Sequence, residues 1–367
     1  MTAWMKPSAY PIGIDIGTYS VKLLQLEKRG GGMAIHAANE TPMDPADAAD
    51  PGQGLVPAVA AIRPLLASGQ FVGKRCVVAL PPQHVQCRTL RLPRMPAAEV
   101  DQAIYWEAKD RFGFDLDAGR MAYFASGEVR KGAEVRDEYL IFAAAPDLLA
   151  RYVELLCGIG LEPVAIDLQP AALARAAQQA GGEAADSMLA ILDIGAAGSQ
   201  VVLASQDSMI FYKYIPIGGR HFSDAVAGHL RMSVPEAVAL RNRLDVAGEK
   251  QPDDNLSSLQ QAVFDALRPT VEDLAREIEL CLRYYAVTFR GAKVTQVCLT
   301  GGESYCHPVA QALSAVLSMP VLRSEHLEAM CPDAAAVFPR GSAPWALAAG
   351  LSLHGRQKKV KLLEAAA

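Results

Sequence analysis

The chain lacks paired cysteines. Its seven, at positions 76, 87, 157, 281, 298, 306 and 331, form no C-x-x-C unit and have no histidine at metal-ligand spacing. The busiest stretch, Cys298 to His307, has a C-x7-C-H pattern that fits no zinc spacing. An odd, unpatterned set implies free thiols in a reducing compartment and excludes a disulfide scaffold. Met1 to Pro11 lacks the apolar core of about 7–15 residues that marks a signal peptide. The most apolar late stretch, Ala343 to Leu353, is too short and too interrupted to span a bilayer. A surplus of positive charge is also missing: a net charge of −5 and a pI near 5.9 give no basis for general nucleic-acid binding. What remains is an ordinary composition, 51% hydrophobic and 20% charged over 367 residues, enough for two or more domains. These exclusions predict a cytoplasmic chain.

What is present is one phrase written twice. Ile12-Gly13-Ile14-Asp15-Ile16-Gly17-Thr18-Tyr19-Ser20-Val21-Lys22 opens the chain, and Ala190-Ile191-Leu192-Asp193-Ile194-Gly195-Ala196-Ala197-Gly198-Ser199-Gln200-Val201 repeats its logic. Each copy runs an apolar strand into an Asp, then a Gly-containing turn of small residues, then a second strand. Such a turn lets several backbone N–H groups converge on an anion. An Asp beside it suits a hydrated Mg²⁺, which takes few carboxylates together with water and phosphate. Two such turns, one per half, predict two lobes closing on a nucleotide phosphate chain.

In the first turn Asp15 is expected to face the metal through water. Gly17, Thr18, Tyr19 and Ser20 are expected to offer amides and hydroxyls to phosphate oxygens, with Lys22, seven positions after Asp15, reaching back as a point charge. In the second, Asp193 takes the metal role and Gly195, Ala196, Ala197, Gly198 and Ser199 keep the wall small. A plain hairpin with a polar turn explains either copy alone; the repetition argues against it. A third cue is Gly301-Gly302, where a strand is predicted to give way to a helix without Cβ atoms, a place for adenosine beside a helix N-terminus. Glu303 follows, either to accept a bond from ribose or to crowd the pocket.

The periodicity predicts strands over 11–16, 20–28 and 33–40, an exposed loop from Thr41 to Gly54, a helix over Leu55 to Ala67 and a strand over Arg75 to Leu80. After Pro81-Pro82 come a strand (85–92), a helix (97–112, anchored by Val100, Ile104, Trp106 and Ala108) and two strands around a charged hairpin at 130–137. A helix (146–158), a strand (162–167) and a helix (169–180) follow. Gly181 to Asp186 reads as an interdomain crossing. Strands at 188–194, 199–205 and 208–215 open the second half. Helices follow over 219–231, 234–244 and 256–290, then a strand over 293–299 and helices over 304–318 and 342–354. Trp106, Tyr284 and Tyr285 read as core or interface aromatics, His221 and His229 as surface groups, and the basic stretch Arg356 to Leu363 as a frayed terminus.

This order of motifs resembles the actin-like ATPase superfamily, and within it the PilM family of type IV pilus assembly. The resemblance runs from Ile12 to about Leu353. It also rests on Ile104-Tyr105-Trp106-Glu107-Ala108, Phe112-Gly113-Phe114-Asp115-Leu116, the run Val164 to Ala176 and Ile215-Pro216-Ile217-Gly218-Gly219. It implies an α/β, actin-like two-lobed fold of duplicated ribonuclease-H-like lobes with a small strand–helix–strand–strand inserted subdomain. The first lobe is expected at 10–82 and 146–185, the insert at 83–145, the second lobe core at 186–245 and 291–355, its smaller helical part at 246–290, and a basic tail at 356–367. The resemblance further implies ATP and Mg as cofactors. Gly218 and Gly219 join the nucleotide site, together with Glu236 and Arg241 on the helix where relatives place a Glu and a Lys three residues apart, here Val238 and Arg241. Gln169 stands where relatives often carry Glu; a glutamine can orient water but cannot accept its proton, which implies slow turnover or none. The implied partner is the N-terminal peptide of a PilN-like inner-membrane protein, held between the first lobe and the insert. Pilus motor ATPases and self-association are further implied partners, with no nucleic acid and only indirect membrane contact, which places the chain at the cytoplasmic face of the inner membrane. The alternatives are a small-molecule kinase of the same superfamily, with Asp167 as its one carboxylate candidate, or an FtsA-like membrane filament held by the basic tail.

Overall fold

One five-stranded sheet is built twice along the chain. The computed structural model describes residues 9–43, 55–114, 121–132, 134–180, 188–206, 208–247, 254–289, 292–355 and 361–362. β1 (Ile12–Ile16), β2 (Ser20–Arg29) and β3 (Gly32–Pro42) form an antiparallel meander. After α1 (Leu55–Ala67), β4 (Arg75–Leu80) joins β1 in parallel. The chain then leaves the sheet for β5 (Gln86–Pro93), α2 (Ala97–Lys109), β6 (Met121–Lys131) and β7 (Glu134–Ala143). It returns through α3 (Pro146–Gly158) to β8 (Glu162–Leu168), parallel to β4, and leaves again in α4 (Gln169–Ala180).

The second half repeats the plan. β9 (Leu189–Ile194), β10 (Ser199–Ala204) and β11 (Met209–Ile215) form the meander. α5 (Gly219–Leu230), α6 (Val234–Ala247) and the long α7 (Asp254–Phe289) follow. β12 (Val297–Thr300) then pairs in parallel with β9, and α8 (His307–Leu317) leads to β13 (Val321–Arg323). Short helices α9 (His326–Met330) and α10 (Ala334–Val337) precede α11 (Ala346–Ser352). The strand orders β3-β2-β1-β4-β8 and β11-β10-β9-β12-β13 are the same arrangement.

Alternation of side chains places each sheet between two layers. In β4, Cys76, Val78 and Leu80 enter the core under α1 and α3, while Val77 and Ala79 face the core that holds α4 and α11. These two helices pass each other so closely that a Cβ on Gly350 would lie 1.9 Å from the Ala172 carbonyl oxygen. Only an Ala- and Gly-rich pair fits there. The inserted sheet has its own core, in which Val100, Ile104 and Ala108 recur every four residues and pack on Leu90, Leu92 and Ile141.

Several expectations change. Trp106 is off the stripe set by Val100, Ile104 and Ala108, and stands 59% exposed rather than in the core. Tyr285 is buried, whereas Tyr284 is partly exposed. The charged hairpin is shorter than expected, because the strands run on to Lys131 and Glu134. The strand expected at 293–299 is confined to β12, and β13, α9 and α10 were not anticipated. The helix expected over 304–318 is a 3-10 turn, Gly302–Tyr305, followed by α8, and that over 342–354 is a 3-10 turn, Ala343–Trp345, followed by α11. In the basic tail, β14 (Lys361–Leu362) pairs antiparallel with Tyr123 and Ala122 of β6, which replaces the frayed end at that point. The crossing at 181–186 and most of the loop at 41–54 lie outside the described residues. Among the described residues, no helix is long and apolar enough to cross a membrane.

Candidate functional site

The two repeated turns close in the same way. The Gly17 N–H donates to the Ser20 carbonyl at 3.0 Å, and the Gly195 N–H donates to the Gly198 carbonyl at 3.0 Å. The glycine amides therefore hold the turns shut. The amides of Thr18, Tyr19, Ala196 and Ala197 make no hydrogen bond among the described residues. Strand register carries the likeness further: Asp15 sits across from Lys22 and Asp193 across from Gln200. Asp193 has a second neighbour, Thr300 on β12, whose hydroxyl donates to Asp193 Oδ1 at 3.0 Å.

Between the turns lies a cavity of about 460 Å³, within the range of roughly 300–1,000 Å³ found for small-molecule sites. Asp15, Gly17, Thr18, Tyr19, Ser20 and Lys22 line one wall; Asp193, Gly195, Ala196, Ala197 and Gly198 line the other. Gly219, Arg241, Gly301, Gly302 and Glu303 border one end, and Gln169 lies on the floor. Three expected site residues stand elsewhere. Ser199 is fully buried behind the wall, its hydroxyl donating to the Ile217 carbonyl at 2.6 Å. Gly218 is packed on the second turn, where a Cβ would lie 2.4 Å from the Gly195 carbonyl oxygen. Glu236 is exposed at the start of α6, accepting from the Ser233 amide at 2.8 Å and the Ser233 hydroxyl at 2.6 Å. Val238, Arg241 and Asn242 are the α6 residues on the cavity, because positions three and four apart share a helix face and Glu236 lies off it.

The electrostatics of the cleft follow from two carboxylates held inside the protein. Burial raises the Asp15 carboxyl from its ordinary 3.8 to about 6; Lys22 opposes the rise, and Asp193 and Glu40 add to it. Burial likewise raises Asp193, against the hydrogen bonds from Thr300 and Gln200 and the charge of Lys22. Lys22 itself donates to the Ser20 hydroxyl at 3.0 Å and lies 3.4 Å from Glu40. Two buried carboxylates, both raised by burial and both opposed by the same lysine, form a site short of positive charge. A divalent cation would supply it. Two carboxylates alone do not complete a magnesium shell, which leaves places for water and phosphate oxygens. The donor set and the free turn amides thus fit a metal–polyphosphate group.

At the other end, Gly301 adopts φ +87°, and a Cβ there would lie 2.4 Å from the Ile194 carbonyl and 2.8 Å from Asp193 Oδ1. Gly302 faces open space. The element that follows is a four-residue 3-10 turn, so the helix N-terminus expected there is absent. Glu303 borders the cavity and does not remain free. Its carboxylate pairs with Arg241, whose guanidinium also donates to the Gly219 carbonyl at 3.0 Å and the Ser223 hydroxyl at 2.8 Å. Asp167, the candidate base of the kinase alternative, is buried away from the cavity. It is held by Arg175 at 2.9 Å and His354 at 3.1 Å.

Gln200 was missed, although a signal existed: it follows Asp193 by the same seven positions that separate Lys22 from Asp15. Gln200 is only 2% exposed, and its Nε2 lies 3.2 Å from Asp193 Oδ2 and 2.7 Å from Gln169 Oε1. One side chain thus joins the expected metal carboxylate to the expected water-handling residue.

Two sheets of one strand order, with an Asp at the same turn of each and a cleft between them, define an actin-like ATPase fold. The family model described as type IV pilus assembly protein PilM matches residues 13–356, and the chain belongs to that family. Among solved structures it is similar to a PilM-PilN type IV pilus biogenesis complex, at 23% identity and a TM-score of 0.73, over 95% of this chain and 99% of that one. It is also similar to the ethanolamine utilization protein EutJ from Carboxydothermus hydrogenoformans, at 16% identity and a TM-score of 0.54, over 96% and 91% of the two chains. A diol dehydratase-reactivating factor in nucleotide-free form gives 10% identity and a TM-score of 0.54, over 94% and 99%. At these identities the likeness is one of fold.

Proposed function

We propose that the chain is an ATP–Mg²⁺-binding adaptor of type IV pilus assembly that hydrolyses its nucleotide slowly or not at all. The carrying observation is the pair of identically closed turns that set Asp15 and Asp193 on opposite walls of one cavity. In this reading both carboxylates hold the metal through water. The turn amides and Lys22 take the phosphates, and the nucleoside lies toward Val238, Arg241 and Gly301-Gly302. Gln169 offers no carboxylate to deprotonate water, which removes a general base. Residues 83–145 form the inserted subdomain. Its junction with the first lobe receives the extended N-terminal peptide of a PilN-like inner-membrane protein, and so brings the chain to the cytoplasmic face of that membrane. The family match and the PilM-PilN neighbour support the partner. Nucleotide acts by favouring one closure of the lobes, which requires unequal affinity for the two closures.

Calorimetry tests the reading directly. The purified protein is titrated with ATP–Mg²⁺ and, separately, with a PilN-type N-terminal peptide. Saturable heat is expected from both, with Asp15→Lys and Asp193→Lys silencing only the nucleotide. No binding of either ligand sinks the proposal, and nucleotide affinity unchanged in both variants moves the site elsewhere.

A further inference from the structure

Gln200 fixes which way round Gln169 faces. The Gln200 amide nitrogen donates to Asp193 Oδ2 at 3.2 Å. Its Oε1 lies on the other side, accepting from the Tyr212 hydroxyl at 3.3 Å. The second hydrogen on that nitrogen goes to Gln169 Oε1 at 2.7 Å. Gln169 then has its acceptor occupied, and its own NH₂ makes no hydrogen bond among the described residues while its side chain borders the cavity. The bond also crosses the molecule. Gln169 opens α4 at the end of β8 in the first sheet, and Gln200 lies on β10 in the second.

We propose that Gln200 is a positioning residue that turns Gln169 into a hydrogen-bond donor toward the last phosphate of a bound nucleoside triphosphate, so that the cleft distinguishes triphosphate from diphosphate. This rests on the nucleotide reading above. A donor at this point meets an anionic oxygen well and an attacking water's proton badly. Discrimination, rather than turnover, is what the geometry serves. Because the bridge spans the two sheets, the presence of the last phosphate is read at the junction of the lobes.

The experiment compares ATP–Mg²⁺ with ADP–Mg²⁺ by calorimetry on the full chain, the readout being the ratio of the two affinities. The unmodified protein is expected to prefer ATP. Gln200→Leu and Gln169→Leu should each lower that preference about tenfold, the scale of one hydrogen bond to a charged group. The double variant should lose no more than either single one, since the two amides act as one unit. Gln169→Glu, a near-isosteric change, should reverse the preference by placing a carboxylate oxygen against phosphate, and it decides the matter if a leucine variant does not fold. Equal affinity for ATP and ADP in the unmodified protein overturns the proposal and leaves the nucleotide reading standing. So does a preference that survives in Gln200→Leu or in Gln169→Glu. Absence of heat from both nucleotides overturns the two together.

Discussion

Asp15→Asn should stabilise the protein while disabling its cleft. In the folded chain the Asp15 carboxyl is raised from 3.8 to about 6, first by burial and then by Asp193 and Glu40, with Lys22 opposing. A tenfold change in proton affinity corresponds to about 1.4 kcal/mol between protonation states, so the rise weighs about 3 kcal/mol against the ionised folded state. The side chain borders an open cavity, and solvent there reduces the expected cost to about 1–2 kcal/mol. The sign follows from proton linkage: a raised carboxyl binds its proton more tightly when folded, so the protein loses stability as pH rises from about 4 through about 6. Asparagine carries no such cost. Urea denaturation in EDTA, without nucleotide, should therefore show the variant more stable by about 1–2 kcal/mol at pH 8, with the gap closing by pH 4. Adding ATP–Mg²⁺ should then stabilise the parent and leave the variant unmoved. A variant less stable than its parent at pH 8, or a gap flat between pH 4 and 8, would refute the reasoning.

Two other perturbations test the packing around the cleft. Glu303→Ala removes the carboxylate paired with the buried Arg241 guanidinium; leaving that charge uncompensated should cost about 3 kcal/mol in denaturation and lower ATP affinity as the cation relaxes into the cavity. Gly350→Ala sets a methyl group 1.9 Å from the Ala172 carbonyl oxygen. Because the blocking atoms are α4 backbone rather than a movable side chain, a loss of more than about 3 kcal/mol is expected in urea denaturation, with no comparable effect from Gly302→Ala, which faces open space.

The doubled meander was legible because an apolar strand, an Asp and a Gly turn make a pattern that only a hairpin satisfies twice. The cleft was legible for the same reason: register carries Asp15 and Asp193 to matching places. Glu236 was misplaced because nearness in sequence does not reveal which side of α6 faces the cavity; only the spacing from Val238 to Arg241 and Asn242 does so. Trp106 was misplaced by its chemistry, since the stripe of Val100, Ile104 and Ala108, spaced four apart, already filled the buried face. Helices as short as α9 and α10 leave too few turns for periodicity to register. The role of Gln200 depends on a partner 31 positions away, which no local pattern records.

The two turns close alike but are not furnished alike. Across from Asp15 stands an ammonium, and across from Asp193 a neutral amide. Duplication by itself would give the cleft a two-fold axis, and an anionic chain could then lie in it either way round. One lysine on one wall breaks that axis. The cleft acquires an electrical polarity, and its two halves are no longer interchangeable: exchanging Lys22 and Gln200 would reverse the field across the same backbone.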